Sequence, residues 1–241
     1  MIFKGWQKES LIEWPGKICT VVFLSGCNFK CPFCYNRDLV LFPQKLPDVD
    51  EKDIFDFLKK HRDLLDGLMI TGGEPTISFK IKNRKQNAEN DIVEFIKKIK
   101  KIGLKVGIET NGSNPEAVEY LIKNKLIDYV AMDIKAPLEM RKYNQLSGVA
   151  VDLKKIEKSV RIIKNACLET EFRTTVVPGL LNKEDILKIA RKLKGVKKYC
   201  LQNFRPENTL GEIKEKPYPQ EWFQEVGEEI KKIINNIELR I

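Results

Sequence analysis

The stretch "ICTVVFLSGCNFKCPFCYN", residues 18 to 36, joins an apolar run to a loop with three closely spaced cysteines. The run, "ICTVVFLS" at 18 to 25, is rich in β-branched residues and predicts a buried strand. Cys27, Cys31 and Cys34 follow it with the spacing C-x3-C-x2-C. A strand that ends in a cysteine-rich loop indicates that the chemistry lies at the carboxyl end of the strand.

Five further apolar runs predict strands, and segments with 3.6-residue apolar spacing between them predict helices. The predicted strands cover residues 67–71, 104–110, 129–135, 170–177 and 197–204. The predicted helices lie near 51–62, 90–102, 114–124, 152–166 and 182–193. This alternation implies right-handed crossovers and a parallel sheet with helices on its outside. We expect an α/β fold, as an open sheet or an incomplete barrel, with functional groups at the carboxyl ends of the strands.

The length and composition predict one domain over residues 1–241, closed by an extension at 219–241 with a final helix and a short strand. No run of about 18 apolar residues is present, and the start lacks the apolar segment of a signal peptide, so we expect a cytoplasmic protein without a membrane partner. The net charge is +9. Lys alternates with Glu on the predicted helices, however, and we expect no nucleic-acid partner.

The cysteine loop predicts a metal or redox site, because cytoplasmic thiols stay reduced. Structural zinc sites normally have four Cys or His ligands, and the loop has three cysteines without a nearby histidine. Cys19 is about 20 Å away if the first strand is extended. Cys19, Cys167 and Cys200 occupy places typical of buried core thiols. Three thiolates can instead hold three irons of a [4Fe–4S] cluster and leave the fourth iron for another ligand.

Polar stretches follow the later predicted strands and should meet the cysteine loop at one edge of the sheet. These stretches are "TGGEP" at 71–75, "ETNG" at 109–112, "DIK" at 133–135 and "FRTTVVPG" at 172–179. Gly72 and Gly73 would let a ligand approach the backbone, and Glu74 would accept from an ammonium group. Taken singly, the same residues are also compatible with turns, strand-end caps and surface ion pairs.

The spacing C-x3-C-x-aromatic-C, with Phe33 as the aromatic residue, together with "TGGEP", resembles the signature of radical S-adenosylmethionine (SAM) enzymes. The resemblance implies an incomplete (β/α)6 barrel with parallel strands inside and helices outside. It implies one [4Fe–4S] cluster on Cys27, Cys31 and Cys34, and reductive cleavage of SAM to a 5′-deoxyadenosyl radical. The residues that it places near SAM are Phe33, Gly72, Gly73, Glu74, Glu109, Thr110, Asp133, Lys135 and Arg173.

Residues 10 to 40 resemble the amino-terminal region of the glycyl radical enzyme activases, and the resemblance runs from about residue 5 to residue 205. The opening at 5 to 17 is most similar to the subgroup that activates anaerobic ribonucleoside-triphosphate reductases. The resemblance implies a glycyl radical enzyme as the protein substrate, with anaerobic ribonucleotide reductase as the first choice. It also implies flavodoxin or ferredoxin as the electron donor.

The sequence departs from the activase pattern in three places. Tyr35 stands where many activases have His, residues 201 to 211 lack a histidine that some relatives carry, and the basic segment 78 to 90 is longer than the usual connection. That segment is interpreted as a mobile loop or a docking segment. Two alternatives stay open: a radical SAM enzyme acting on a small molecule, like the 7-carboxy-7-deazaguanine synthases, and a non-catalytic zinc or redox module.

Overall fold

The computed structural model describes residues 1–77, 79 and 91–241. The predicted long connection at 78 to 90 therefore lies outside the described residues, apart from Phe79. The chain divides into two compact units. The first comprises Met1–Asn28, Asp38–Thr110 and Asn114–Val130, and the second comprises Phe29–Arg37, Asn111–Ser113 and Ala131–Ile241.

Eight strands occur in the described part of the chain. They are β1 (Phe3–Ser10), β2 (Cys19–Leu24), β3 (Gly67–Gly72), β4 (Lys105–Thr110), β5 (Tyr129–Asp133), β6 (Glu169–Val176), β7 (Tyr199–Asn203) and β8 (Ile237–Arg240). Strands β2 to β7 confirm the six strands predicted from apolar runs. β8 confirms the short final strand, whereas β1 was not predicted.

Eight α-helices connect or follow these strands among the described residues. They are α1 (Arg37–Leu41), α2 (Glu51–Lys60), α3 (Asp91–Ile102), α4 (Pro115–Lys123), α5 (Met140–Ser147), α6 (Leu153–Lys164), α7 (Lys183–Lys192) and α8 (Gln220–Lys231). Asn114 and Asn182 cap α4 and α7 through their side chains. The predicted helices are confirmed, and α1 and α5 are additional. None of the described helices is long and apolar enough to cross a membrane.

In the first unit the strand order follows the chain from β1 to β4. β2, β3 and β4 are parallel, with Val22 beside Ile70 and Ile70 beside Ile108. β1 is antiparallel to β2, which corrects the expectation of parallel strands alone. The two strands are joined by a short reversal in which Trp14 accepts a hydrogen bond from the Lys17 N–H at 3.1 Å. A reversal this short allows only antiparallel pairing.

In the second unit β6, β7 and β8 are parallel neighbours in chain order. Arg173 lies beside Cys200, and Cys200 lies beside Glu238, so their side chains share one face of the strands. The opposite face carries Leu239, which contacts α8 at Gly227. α8 and β8 form the predicted final helix and strand. Their role as a closing extension of a single domain stays a prediction.

Candidate functional site

The turn after β3 packs directly against the chain that follows β2. The Gly73 N–H donates to the Leu24 carbonyl at 2.9 Å, and the Glu74 N–H donates to the Gly26 carbonyl at 2.9 Å. A Cβ on Gly73 would lie 1.6 Å from the Gly26 oxygen, and one on Gly72 would lie 2.4 Å from the Leu24 nitrogen. Both glycines are therefore required by backbone packing. This packing requirement for glycine is independent of the expected approach of a ligand to the same backbone.

Carboxylates and hydroxyls meet at the adjacent ends of β3 and β4. Glu74 is only 1% exposed. Its Oε1 accepts from the Thr76 N–H at 3.0 Å, the Thr76 hydroxyl at 2.6 Å and the Thr110 hydroxyl at 2.8 Å. Glu109 accepts from the Thr71 hydroxyl at 2.6 Å. Of the predicted residues, the structure thus joins Glu74 to Thr110, while Glu109 is bonded to Thr71. The sequence analysis missed Thr71 and Thr76, although both flank the "GGEP" stretch.

Two of the three predicted cluster cysteines lie in the second unit. Cys31 is buried and Cys34 is half-buried, and the Cys34 N–H donates to the Cys31 carbonyl at 3.0 Å. Burial raises the pKa of the Cys31 thiol to about 11, although the charge of Lys135 acts in the opposite direction. Burial also raises the pKa of Cys34. Both thiols are protonated at neutral pH in the metal-free protein, so metal binding must displace these protons.

Asp133 and Lys135 form an ion pair beside the same loop. The Lys135 ammonium lies 2.7 Å from the Asp133 carboxylate and 5.8 Å from the centre of the Phe33 ring. Burial alone would lower the pKa of Lys135, but the Asp133 carboxylate and the nearby Cys31 outweigh it and raise that pKa. Lys135 therefore stays cationic. The predicted residues Phe33, Asp133 and Lys135 form one group, and the fully buried Tyr143 of α5 lies beside Lys135.

Arg173 belongs to a buried ion network on β6, β7 and β8. Its Nε donates to Glu171 at 2.5 Å, and the same carboxylate accepts from Arg240 at 3.0 and 3.2 Å. Lys198 lies 3.1 Å from Glu171 and also pairs with Glu238. The sequence analysis interpreted these strands as buried and missed the network. The predicted role of Arg173 as a SAM contact stays a prediction.

The remaining cysteines behave differently from one another. Cys19 and Cys200 are fully buried, and burial raises the pKa of each to about 12. Cys167, which was expected in the core, is exposed. It lies in the connection between α6 and β6. The core interpretation is therefore wrong for Cys167.

The donor set fits an iron–sulfur cluster. Cys31 and Cys34 carry soft thiol groups of the kind that bind iron, and the charge of Lys135 partly offsets the rise in their pKa values that burial causes. Among the residues that the structure describes, no three His, Cys, Asp or Glu side chains surround a single metal ion position. A cluster does not require such a position, because each thiolate binds a different iron.

Residues 21–194 match the family model described as Radical SAM superfamily. The chain belongs to this superfamily. It is 37% identical to a Methanocaldococcus jannaschii protein provisionally named a glycyl-radical enzyme activating enzyme, over 99% of this chain and 95% of that protein. It is 24% identical to the pyruvate formate-lyase-activating enzyme of Clostridium pasteurianum, over 85% of this chain and 81% of that protein.

The fold is similar to that of Streptococcus suis SuiB, with a TM-score of 0.69 and 19% identity. The similarity covers 92% of this chain and 48% of SuiB, so the chain spans about half the length of that structure. The TM-score to SuiB bound to S-adenosylmethionine is 0.66. The predicted α/β class, an incomplete (β/α)6 barrel with parallel strands inside, is confirmed by these similarities.

Membership in this superfamily confirms three predictions. The chain is an enzyme, one of its cofactors is a [4Fe–4S] cluster, and the other is SAM. The alternative of a non-catalytic zinc or redox module is therefore wrong.

Proposed function

We propose that this enzyme generates a glycyl radical on a partner enzyme. The observation that carries the proposal is the 37% identity, over almost the full length of both chains, to a relative named for the activation of glycyl-radical enzymes. When bound, the cluster and SAM supply a 5′-deoxyadenosyl radical that takes a hydrogen atom from the substrate. The protein's residues bind these groups, orient them and exclude water.

Cys27, Cys31 and Cys34 would hold the cluster. Phe33 is 5% exposed and lies under the Lys135 ammonium, so this part of the loop is shielded from solvent. The positive charge of Lys135 favours anionic groups nearby, including metal-bound thiolates. Lys135 would therefore contribute by stabilising the charge of the loaded site.

The residues after β3 and β4 would bind SAM. Gly72 and Gly73 offer backbone groups held in a fixed position by their packing on β2. Oε1 of Glu74 is already bonded to Thr76 and Thr110, so this carboxylate would fix the turn as well as favour a ligand ammonium group. Phe33, Asp133, Lys135 and Arg173 stay candidates for SAM contact. Glu109 and Thr110 complete the proposed set.

The partner would be an anaerobic ribonucleotide reductase, and the electron would come from flavodoxin or ferredoxin. The support is the similarity of residues 5 to 17 to that activase subgroup. Part of this stretch also has a structural role, because Trp14 stacks on Tyr129 with ring centres 5.0 Å apart. We further propose that the enzyme works in an anaerobic cytoplasm with one cluster.

The test is anaerobic reconstitution followed by reduction with dithionite in the presence of SAM. We expect 5′-deoxyadenosine and methionine from the reconstituted protein, and a glycyl radical signal in electron paramagnetic resonance after addition of an anaerobic ribonucleotide reductase. Cys31→Ala should abolish both results, and Cys167→Ser is the matched control. No 5′-deoxyadenosine would contradict the proposal. SAM cleavage without a glycyl radical on any candidate partner would favour the small-molecule alternative.

A further inference from the structure

The part of the cysteine loop that belongs to the second unit, Phe29–Arg37, is held on one side by the end of α5. The Lys30 N–H donates to the Ser147 carbonyl at 2.8 Å. Gly148 ends α5 in the left-handed region with φ 68°, and its N–H donates to the Asn144 carbonyl at 3.0 Å. A Cβ on Gly148 would lie 2.0 Å from the Lys30 oxygen. Only glycine allows α5 to end against the backbone of the loop.

A second segment holds the loop from another side. The strap, defined as residues 204–217 between β7 and α8, donates two backbone hydrogen bonds to it. The Leu210 N–H donates to the Cys34 carbonyl at 3.0 Å, and the Gly211 N–H donates to the Pro32 carbonyl at 2.7 Å. A Cβ on Gly211 would lie 2.9 Å from the Pro32 Cβ, so alanine would push the strap away from the loop.

The strap is fixed at its base by other contacts. The Asn203 side-chain amide donates to the Tyr218 carbonyl at 3.1 Å, which brings its two ends together. The Tyr218 hydroxyl donates to the Leu181 carbonyl at 3.1 Å, and its ring stacks on Trp222 with centres 4.0 Å apart. The strap is therefore an anchored element that can restrain the cysteine loop.

We infer that Gly148 and Gly211 are positioning residues that hold the cysteine loop ready for its cluster before iron binds. Backbone bonds to residues 30, 32 and 34 surround Cys31, which is 6% exposed. Restraining the loop in advance reduces the conformational entropy lost when the cluster binds. The inference rests on the proposed role of Cys31 and Cys34 as cluster ligands. Neither glycine belongs to a motif that the sequence analysis identified.

The test measures how fast iodoacetamide alkylates each cysteine of the metal-free protein, followed by mass spectrometry. We expect Gly148→Ala and Gly211→Ala to label at Cys31 roughly ten-fold faster than the wild type, because the loop opens more often. Cys19, buried in the other unit, and the exposed Cys167 are internal references whose rates should not change. Faster labelling of Cys19 as well would indicate general unfolding and would overturn the inference.

Two control variants match the two substitutions. Gly16→Ala introduces the same left-handed strain, with φ 73°, but its Cβ meets nothing within 4 Å. Gly227→Ala has no positive φ, and its Cβ meets only the flexible Leu239 side chain at 3.1 Å. In both control variants, iodoacetamide should alkylate Cys31 at the wild-type rate. If Gly148→Ala does not fold, Gly211→Ala and Leu210→Pro, which removes the donor to Cys34, still test the strap.

Cluster retention provides a second measurement. After reconstitution, Gly148→Ala and Gly211→Ala should lose their iron–sulfur absorbance to a chelator several-fold faster than the controls. If Gly148→Ala and Gly211→Ala show both the wild-type alkylation rate at Cys31 and the wild-type cluster retention, the inference is overturned. The labelling uses neither SAM nor a partner, so its result is independent of whether the enzyme activates a glycyl radical protein.

Discussion

Glu74 places a carboxylate almost completely out of contact with water, and the surrounding donors explain how this is tolerated. A buried carboxylate is costly unless hydrogen bonds replace its hydration. Thr76 contributes two donors and Thr110 one, all to the same oxygen. These bonds join the turn after β3 to the end of β4. Glu74 therefore stabilises the shape of the turn before any ligand is considered.

We expect Glu74→Ala to lower the free energy of unfolding of the metal-free protein by about 2–3 kcal/mol, because three donors lose their acceptor. The free energy of unfolding should fall less in Glu74→Gln, because the amide oxygen can still accept from Thr110. Urea denaturation measures both changes. Glu228→Ala, which removes an exposed pair with Lys231, is the control and should have no measurable effect. Equal stability of Glu74→Ala and wild type would contradict the assigned role.

The raised pKa of Cys19 predicts that the free energy of unfolding falls at alkaline pH. Burial, assisted by the charge of Glu13, raises its pKa from 9.0 to about 12. The native state therefore binds the thiol proton more tightly than the unfolded state. The resulting stabilisation is fully present below pH 9 and is lost as the pH rises toward 12. The difference in unfolding free energy between wild type and Cys19→Ala should shrink by up to ~1.4 kcal/mol per pH unit in this window.

Urea denaturation of both proteins, below pH 9 and at several values within the window, measures this difference. Other titrating groups are common to the two proteins and cancel in the comparison. A constant difference for Cys19→Ala would show that its thiol pKa is not raised by folding.

The spacing of Cys27, Cys31 and Cys34 could be recognised in the sequence because all three lie within eight positions. Glu74 could also be singled out, but its bonds to Thr76 and Thr110 depend on β3 and β4 being neighbours. Local patterns contain no such information.

At the scale of elements, the buried parallel strands were predictable because both of their faces are covered by protein and their sequences are nearly continuous apolar runs. β1, "FKGWQKES", escaped prediction because it is an edge strand with three exposed polar residues in succession. α5, "MRKYNQLS", has no side-chain cap at Glu139 and few apolar residues. Both elements are defined by tertiary packing, so their own sequences give weak signals.

The network on β6, β7 and β8 was not predictable for the same reason. Glu171 is surrounded by Arg173 of the same strand, by Lys198 just before β7 and by Arg240 of β8. The sequence of β6 contains Glu171 and Arg173, and that of β8 contains Arg240, but neither sequence shows that these charges meet. Only the parallel register places them on one face.

We expect Glu171→Ala to lower the free energy of unfolding by about 3–5 kcal/mol, because it leaves three cations near one another without their shared carboxylate. Glu238 still pairs with Lys198 and Arg240 and limits the loss. Thermal or urea denaturation of the metal-free protein measures the change. Glu184→Ala, which removes only an exposed pair with Arg191, should lose less than about 1 kcal/mol. Similar losses in both variants would show that the buried network contributes no more than a surface pair.

At the scale of the whole molecule, alternation of strands and helices predicted the α/β class, and two short motifs predicted the superfamily. The sequence could not predict which backbone segments support the cysteine loop. Gly148 and Gly211 are about 110 to 180 residues away from it in sequence, and only the folded chain brings them to Lys30 and Pro32. Local motifs therefore indicated the ligands, while their support depends on the complete fold.

The cofactors themselves should stabilise the whole molecule, because a ligand that binds only the native state raises the free energy of unfolding. We expect the reconstituted enzyme to melt at a higher temperature than the metal-free protein. SAM at about 100 times its dissociation constant should add a further ~2.7 kcal/mol. Anaerobic differential scanning fluorimetry measures both increments. The thiols must lose protons to bind iron, so the increment from the cluster should increase with pH between neutrality and mildly alkaline conditions.

Cys34→Ala separates this effect from ordinary packing. The substitution changes the metal-free protein too, so the quantities to compare are the increments produced by reconstitution and by SAM within each variant. Both increments should largely disappear in Cys34→Ala and stay at the wild-type size in Cys167→Ser, whose side chain is exposed. If SAM stabilises Cys34→Ala as much as the wild type, SAM binding does not depend on a cluster held by Cys34. The assignment of this cysteine as a ligand would then be wrong.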